Sequence, residues 1–311
     1  MMNKFETLQK RELLILVFSF IIPILILGMI FLREKPETNL LAEVVPQETE
    51  RVFNVDIKAK SALVTELNTG KILYSLNRDE ERPIASITKL MTVLIASDKF
   101  DKQEISRLQI RENHLNAFGD SGLIVGQTWG VKDLIDFTLI TSSNDGAKAL
   151  ALSAFGEEES SFVAEMNSLS RKLGLTNTFF SNVSGLDINL DTEAGAISTA
   201  SDVTKILNFI VKNKIDVFKS TVLNEKFIDI EGNIYDAKNT NKSITEIPGS
   251  LLSKTGYTDL AGGNLAVVAD FGLNNPVSIV ILGSTFEERE LDIKKLYRET
   301  ADYYASNLFE Y

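Results

Sequence analysis

The chain has 311 residues, of which 44% are hydrophobic and 24% charged, a composition typical of a globular protein with a substantial core. A net charge of −11 argues against a nucleic-acid partner, because phosphate binding depends on a surplus of lysine and arginine. Cysteine is absent and His114 is the only histidine, so we expect neither a zinc site nor any other metal or cofactor. A Ser-His-Asp triad would have to use His114, which we expect at the surface because its neighbours are polar.

The N-terminal region contains an uncharged, apolar run at residues 13–32. At 1.5 Å per residue, a helix over this run reaches about 30 Å, the thickness of a bilayer's hydrocarbon core. A cleaved signal peptide is the alternative, but its apolar region would be shorter and a small-residue cleavage site would follow. We therefore expect an uncleaved transmembrane anchor at 13–32, with residues 1–12 in the cytoplasm and the rest of the chain on the extracytoplasmic side.

The remainder of the chain divides into a polar linker, residues 33–55, and a folded domain, residues 56–311. The pattern predicts a hairpin over 61–77 with its turn at Asn68-Thr69-Gly70, and then a buried helix over 86–99. Further predicted helices span 131–140, 145–155, 160–173 and 287–308, and predicted strands span 251–257, 265–271 and 277–282. Strands at both ends with helices between them indicate an α+β fold, in which an antiparallel sheet is flanked by helices and carries a mostly helical insert.

The first motif that suggests chemistry is Ser86-Ile87-Thr88-Lys89. Positions i and i+3 of a helix share one face, so Lys89 is expected beside the hydroxyl of Ser86. A serine nucleophile needs a base, and lysine acts as one when burial or a nearby cation lowers its pKa. This spacing also occurs by chance in a chain of this length, so the motif alone does not establish a site.

The second motif is Ser142-Ser143-Asn144, at the end of a predicted helix. Asn144 offers an amide for a substrate carbonyl, and Ser142 a hydroxyl that can pass a proton between Lys89 and a leaving amine. The same residues also suit the N-terminal cap of the next helix, which for this motif alone is the simpler interpretation.

The third motif, Lys254-Thr255-Gly256, lies in a predicted strand. Lys254 and Thr255 suit a carboxylate, and Gly256 would allow a substrate backbone to pair with the strand edge. The backbone N–H groups of Ser86 and Tyr257 could form an oxyanion hole. The alternative for the tripeptide alone is an edge-strand lysine followed by a glycine bulge.

The three motifs in this order give the chain a resemblance to a known family. Other matching segments are Arg82-Pro83 with Ala85, Met91-Thr92, Asp145 with Ala147, Ala149 and Leu150, Met166-Asn167, Leu173-Gly174, Ser184-Gly185-Leu186, Ser198-Thr199, Tyr257-Thr258 and Ala261-Gly262. Over residues 56–308, the sequence resembles the low-molecular-mass penicillin-binding proteins, specifically the serine-type D-alanyl-D-alanine carboxypeptidases, peptidase family S11 of the β-lactamase/transpeptidase-like superfamily.

The resemblance implies that Ser86 is the nucleophile, Lys89 its base, and Ser142 and Asn144 the second motif. It also implies that Lys254, Thr255 and Gly256 bind the terminal carboxylate of a peptidoglycan stem peptide. The implied reaction removes the last D-alanine through an acyl-enzyme, and β-lactams would acylate the same serine as covalent inhibitors.

The chain also departs from this family. The family has a further basic residue ahead of the third motif, where this chain reads Asn239-Thr240-Asn241-Lys242. Many members carry a second C-terminal domain and an amphipathic tail anchor, so we expect attachment here to come from residues 13–32. Two alternatives to a carboxypeptidase stay open: a serine β-lactamase, for which Glu193 is the nearest candidate for the water-activating base, and a non-catalytic scaffold on the same fold.

Overall fold

The computed structural model describes residues 53–115, 119, 122–156, 158–189, 191–272 and 274–307. Five strands form the main sheet: β1 and β2 near the start of the domain, and β10, β11 and β12 near its end. Their bounds are Ser61–Glu66, Ile72–Leu76, Ser250–Thr258, Gly262–Asp270 and Pro276–Ser284. The order across the sheet is β10-β11-β12-β1-β2, and every neighbouring pair is antiparallel.

The sheet is buried on both faces because apolar residues occupy alternate sides of its strands. In β12, Val280 and Leu282 pack into a core shared with most of the helices, whereas Ile279 and Ile281 pack into a second core on the opposite face. The strand order places β10 at one edge, which leaves one side of its backbone open to pairing.

The helices cover both faces of this sheet. In chain order they are α1 Lys89–Gln103, α2 Val131–Thr141, α3 Asn144–Phe155, α4 Glu159–Lys172, α5 Ala200–Asn213, α6 Ile215–Phe218 and α7 Arg289–Asn307. The last helix packs against the outer face of the sheet through Ile293 and Leu296. The others lie between β2 and β10 in the sequence, so the α+β fold with a mostly helical insert is confirmed.

The insert also contains short strands that the helical pattern does not predict. They are β3 Arg82–Pro83, β4 Arg107–Gln109, β5 Thr128–Gly130, β6 Phe179–Phe180, β7 Ala196–Ser198, β8 Glu225–Ile228 and β9 Ile234–Ala237. All but the last two have only two or three residues, too few to show an alternating pattern.

The predicted hairpin forms as β1 and β2, and Gly70 takes a φ of 76° in the turn between them. The predicted helix at 86–99 differs at its start. Residues Ala85–Thr88 form a 3₁₀ turn, and the α-helix begins only at Lys89. Ala85 has a φ of 46°, a left-handed conformation that an α-helix cannot contain, so the first turn is wound more tightly.

The packed domain begins before residue 56, where we expected its start. Phe53 and Val55 are buried in the second core, and the ring of Phe53 stacks on that of Tyr74 at a centroid distance of 6.2 Å. The expected membrane anchor at 13–32 lies outside the described residues. Within the described part of the chain, no helix has the length and apolar character needed to cross a bilayer.

Candidate active site

The 3₁₀ turn at Ala85–Thr88 brings the hydroxyl of Ser86 beside the amine of Lys89. In a 3₁₀ helix, positions i and i+3 lie directly above one another, so this turn aligns the two side chains more closely than an α-helix would. Lys89 Nζ lies 2.8 Å from Ser86 Oγ. The pairing expected for the first motif is therefore present, on a different kind of turn.

Lys89 is fully buried and its amine contacts two carbonyl oxygens besides Ser86. Nζ donates to Asn144 Oδ1 at 2.7 Å and to the backbone oxygen of Ser184 at 2.9 Å. Both oxygens only accept hydrogen bonds, so each must receive an N–H from the lysine.

Burial, and secondly the positive charge of Lys254, hold the pKa of Lys89 well below the usual lysine value. A neutral amine has two N–H donors and one lone pair. The two carbonyl oxygens take both donors, which leaves the lone pair directed at Ser86. In this state the hydroxyl of Ser86 donates to Lys89 Nζ, which is the arrangement that a general base requires.

The two roles considered for the second motif, helix capping and a hydroxyl in the active site, belong to adjacent serines. Ser143 caps helix α3, because its Oγ accepts from Gly146 N at 2.8 Å. Ser142 ends helix α2 with a φ of 60°, and this left-handed conformation turns its side chain toward the third motif. Asn144 accepts from Lys89 through Oδ1, and a substrate carbonyl would accept from the Nδ2 group, the donor of this side chain.

The third motif contributes Lys254, which lies on β10 and is almost fully buried. Its Nζ donates to Ser142 Oγ at 2.9 Å and to the backbone oxygen of Thr255 at 3.0 Å. Burial, and secondly the charge of Arg289, lower the pKa of Lys254 to about 7. Near neutral pH this lysine therefore exists in both the charged and the neutral form.

Gly256 has a packing role besides the substrate pairing that we expect from its sequence. The atoms close to it are the chain's own. A Cβ at Gly256 would lie 2.6 Å from the carbonyl oxygen of Ile84 and 3.2 Å from Ser86 N. The glycine thus allows the 3₁₀ turn to dock on β10, which places the N–H of Ser86 beside the strand that leads to Tyr257.

Three contacts join the motifs into one site. Lys89 to Asn144 connects the first with the second, Lys254 to Ser142 connects the second with the third, and Gly256 to Ser86 connects the third with the first. Thr255, also on β10, forms a hydrogen bond between its Oγ1 and Thr240 Oγ1 at 2.7 Å. All the residues proposed from the sequence are thus gathered around the edge strand β10.

Arg289 is a component of the site that the sequence analysis missed. Its guanidinium is buried, and Nη1 donates to the backbone oxygen of Gly256 at 3.3 Å. Arg289 comes after the third motif in the sequence, whereas the family's further basic residue is expected before that motif. At the start of a charged terminal helix, no sequence signal separates this arginine from the solvent-exposed charges around it.

The loop at Asn182-Val183-Ser184-Gly185 supports the site from beneath and was also not assigned a role. Its backbone accepts hydrogen bonds from Lys89 at Ser184 and from Thr92 Oγ1 at Val183, the latter at 2.6 Å. Gly185 has a φ of 81°, and a Cβ there would lie 2.0 Å from the carbonyl oxygen of Ala85. This loop therefore fixes both the lysine and the strained residue that precedes Ser86.

We expect Gly185→Ala to destabilise the domain by about 2–4 kcal/mol, because the left-handed φ costs about 1 kcal/mol and the overlap with Ala85 adds about 1–3 kcal/mol. Gly70→Ala is the matched control, since Gly70 has a similar φ of 76° but no atom within 4 Å of the added Cβ. It should cost only about 1 kcal/mol. Urea unfolding of both variants measures the difference, and equal losses would contradict the close packing at Gly185.

His114 is buried rather than exposed, contrary to expectation. Its Nδ1 accepts a hydrogen bond from the backbone N–H of Arg111 at 3.1 Å, which closes a short 3₁₀ turn. Burial, followed by the charges of Arg111 and Lys148, lowers the pKa of His114 to about 4. The prediction of an exposed His114 from its polar neighbours was wrong because the turn directs the imidazole inward.

Comparison with known proteins identifies the same family as the motifs. The sequence model of peptidase family S11, described as D-alanyl-D-alanine carboxypeptidase, matches residues 46–285. The chain is 33% identical over 255 residues to D-alanyl-D-alanine carboxypeptidase DacF of Bacillus subtilis, covering 80% of this chain and 64% of the relative. It is 32% identical to a D-alanyl-D-alanine endopeptidase of Pseudomonas aeruginosa, covering 73% of this chain and 72% of the relative.

Solved structures show the same likeness. The structure of penicillin-binding protein D2 from Listeria monocytogenes in its ampicillin-bound form superposes with a TM-score of 0.69 at 29% identity, covering 79% of this chain and 98% of that one. The match to the family model, from residue 46 to residue 285, covers 240 of the 311 residues of the chain. The chain therefore belongs to the D-alanyl-D-alanine carboxypeptidases of peptidase family S11.

Proposed function

We propose that this protein is a serine-type D-alanyl-D-alanine carboxypeptidase that removes the terminal D-alanine of peptidoglycan stem peptides through an acyl-enzyme on Ser86. The observation that carries the proposal is the environment of Lys89. Its buried amine lies within hydrogen-bond distance of two carbonyl oxygens and of the serine hydroxyl. In the neutral amine the two N–H groups bind the carbonyl oxygens, and the lone pair accepts from Ser86.

In the first step, Ser86 Oγ attacks the carbonyl carbon between the two D-alanines while its proton passes to Lys89 Nζ. The backbone N–H groups of Ser86 and Tyr257 stabilise the oxyanion that develops, which is typically worth about 10²–10³ in rate per donor. The bond to the terminal D-alanine then breaks, and its amine needs a proton. The hydroxyl of Ser142, which accepts a hydrogen bond from Lys254, gives its proton to this amine and takes back the one that Lys89 received from Ser86. Water then attacks the ester on Ser86 and loses a proton to Lys89; that proton returns to Ser86 Oγ as the shortened peptide leaves.

The terminal carboxylate of the substrate is bound by Lys254 and Thr255 at the edge of β10. Arg289 adds a second positive charge close to this edge through its contact with Gly256. The same arrangement suits the carboxylate of a penicillin, so β-lactams should acylate Ser86. The ampicillin-bound relative supports this part of the proposal.

A β-lactamase is disfavoured by the position of Glu193. The residue is exposed and its backbone pairs with Asn189 in a short turn. Among the described residues, no hydrogen bond or ion pair of its carboxylate holds it as a water-activating base. A long-lived adduct with a chromogenic cephalosporin is therefore expected, and rapid turnover would favour a lactamase.

The endopeptidase relative favours a second candidate, cleavage of cross-links between stem peptides. Mass spectrometry of the products from a muramyl pentapeptide and from a cross-linked dimer separates the two. Loss of a single alanine from the pentapeptide supports the carboxypeptidase. Cleavage of the dimer alone would assign endopeptidase activity instead. The absence of both products would contradict the proposal.

The pH dependence of substrate binding should follow Lys254. Its pKa of about 7 means that the cation predominates below neutral pH and is lost above it. We therefore expect kcat/KM for a substrate with a free terminal carboxylate to fall as the pH rises above about 7. A substrate with the C-terminal amide should lack this alkaline limb. Identical profiles for the two substrates would argue against Lys254 as the carboxylate ligand.

We further propose that residues 13–32 anchor the protein in the bacterial cell membrane, with the catalytic domain on the extracytoplasmic side. The length of the apolar run and the absence of a cleavage site support this arrangement. The protein should remain in the membrane fraction after an alkaline wash and keep its intact N-terminus by mass spectrometry. A shortened, released chain would instead indicate a cleaved signal peptide.

A further inference from the structure

The hairpin formed by β8 and β9 exposes apolar side chains on the face that points away from the domain. Ile228 and Ile234 lie directly opposite each other in the register, and they are 61% and 70% exposed. Ile230, in the turn between the two strands, is 49% exposed. Single exposed apolar residues are ordinary, but a cluster of three isoleucines on one hairpin is typical of a surface that another molecule covers.

The other face of the hairpin is already packed against the domain. Phe227 and Tyr235 point inward, and the centres of their rings lie 6.4 and 4.8 Å from that of Trp129. Successive residues of a strand point to opposite faces, so this packing fixes Ile228 and Ile234 on the outer face. The isoleucines therefore cannot turn into the core without removing the aromatic rings from it.

Hydrogen bonds hold the tip of the hairpin in one conformation. The buried carboxylate of Asp229 accepts from the backbone N–H and from the side-chain amide of Asn233, both at 2.7 Å. The backbone N–H of Ile230 donates to Thr128 O at 3.0 Å, and Glu231 Oε2 accepts from Thr128 N at 2.9 Å. The tip is thus tied to β5, and a preorganised surface of this kind loses little entropy when it associates.

One cation and one anion lie beside the isoleucines on the outer face. Lys226 and Asp236 form the next cross-strand pair along the hairpin, and both are exposed. Each strand therefore presents one charge and one isoleucine, with the cation on β8 and the anion on β9. An anionic lipid surface would repel Asp236 and the nearby Glu231, which argues against a membrane as the partner.

A face with this arrangement is complementary to a copy of itself. When two copies stack face to face around a two-fold axis parallel to the strands, β8 of one copy lies over β9 of the other. Ile228 then meets the partner's Ile234, and Lys226 meets the partner's Asp236. The symmetry repeats each contact, which gives an apolar centre and two ion pairs. Stacked sheets lie about 10 Å apart, a separation that such side chains fill.

We propose that the outer face of this hairpin is a self-association surface, through which two copies of the chain pair around a two-fold axis. The residues that form it are Lys226, Ile228, Ile230, Ile234 and Asp236. The face of one hairpin is small, so the dimer is of the weak, transient class. Attachment of both copies to one membrane, as proposed above, would raise their effective concentration and favour the pairing.

The first test is sedimentation equilibrium of the full chain in density-matched detergent micelles over a range of protein concentrations. We expect a monomer–dimer equilibrium whose dissociation constant rises about tenfold or more in Ile234→Gln, because the apolar centre is lost. Leu291→Gln is the matched control, since Leu291 is another exposed apolar residue, 40% exposed on α7. It should leave the equilibrium unchanged, and both variants should keep the circular dichroism spectrum of the unmodified chain.

Charge reversal tests the geometry of the pairing. Lys226→Glu and Asp236→Lys should each weaken the dimer about tenfold, because like charges then face each other across the axis. An equimolar mixture of the two variants should form a heterodimer as stable as the original dimer, since both facing pairs are again of opposite charge. Each chain in the mixture keeps its own mismatched pair, so this recovery cannot come from a repaired hairpin.

Three results would overturn the proposal. They are a chain that is monomeric at every concentration, a dimer that Ile234→Gln does not weaken, and a mixture that pairs no better than its components. Brominated lipids in vesicles provide a further check. If they quench the fluorescence of Ile234→Trp but not that of the unmodified chain, the outer face contacts lipid rather than a second copy.

Discussion

Replacing Lys89 with methionine should lower the rate of acylation by a fluorescent penicillin about 10³-fold or more, while the domain remains folded. A general base contributes about 10²–10⁴ to such a step, and the serine hydroxyl has no other acceptor for its proton at 2.8 Å in the described part of the chain. Methionine fills a volume similar to that of lysine but cannot accept a proton. Labelling on the seconds-to-hours timescale, followed by gel fluorescence, measures the rate.

Lys89→Arg tests whether Lys89 acts as a base or only through its positive charge. Arginine is always protonated, so it preserves the charge and removes the lone pair. If Lys89 acted only by its charge, the arginine variant would keep much of the activity; as a base, it should lose as much as the methionine variant. Lys102→Met is the matched control on the same helix, because Lys102 is exposed and, in the described part of the chain, forms its ion pair with Asp98. It should label at the normal rate.

The folded state offers a second measurement that does not depend on activity. The pKa of Lys89 is lower in the folded chain than in the unfolded one, so the unfolded state binds more protons below the ordinary lysine pKa of 10.5. The free energy of unfolding should therefore rise with pH in this range. Lys89→Met should remove this contribution, while that of Lys254 between about 7 and 10.5 remains.

The pairing of Ser86 with Lys89 could be predicted from the sequence because their spacing is local, whereas the three motifs were joined only by the family resemblance. Ser86 and Lys89 are three positions apart, and any helical turn brings such residues together, whether α or 3₁₀. The long strands could also be predicted, since β10, β11 and β12 have nine residues each and the last two contain β-branched and apolar runs.

What the sequence could not reveal depends on tertiary contacts. Arg289 reaches Gly256 across 33 positions, and nothing in its neighbourhood distinguishes it from surface charges. Ser184 contributes a backbone oxygen, which leaves no trace in the identity of the side chain. The packing role of Gly256 could not be predicted either, because the atom that requires a glycine there belongs to Ile84, far away in the chain.

Replacing Ser86 with alanine should abolish labelling by fluorescent penicillin, a loss of more than about 10⁴-fold that reaches the limit of detection. The reason is chemical: without the hydroxyl, no covalent bond can form with the β-lactam carbonyl. The fold should persist, because the 3₁₀ turn is held by backbone contacts to β10 and to the loop at Gly185. Unchanged thermal unfolding of the variant checks this point.

Ser97→Ala provides the matched control for the loss of a buried serine. Ser97 lies on the same helix as Lys89, and its hydroxyl donates to the backbone oxygen of Leu94 at 3.1 Å, away from the three motifs. This variant should keep full labelling. Because a non-catalytic scaffold would also tolerate Ser86→Ala without unfolding, the decisive quantity is the labelling of the unmodified chain. Labelling that persists in Ser86→Ala would move the nucleophile to another residue, and no labelling of the unmodified chain would favour the scaffold.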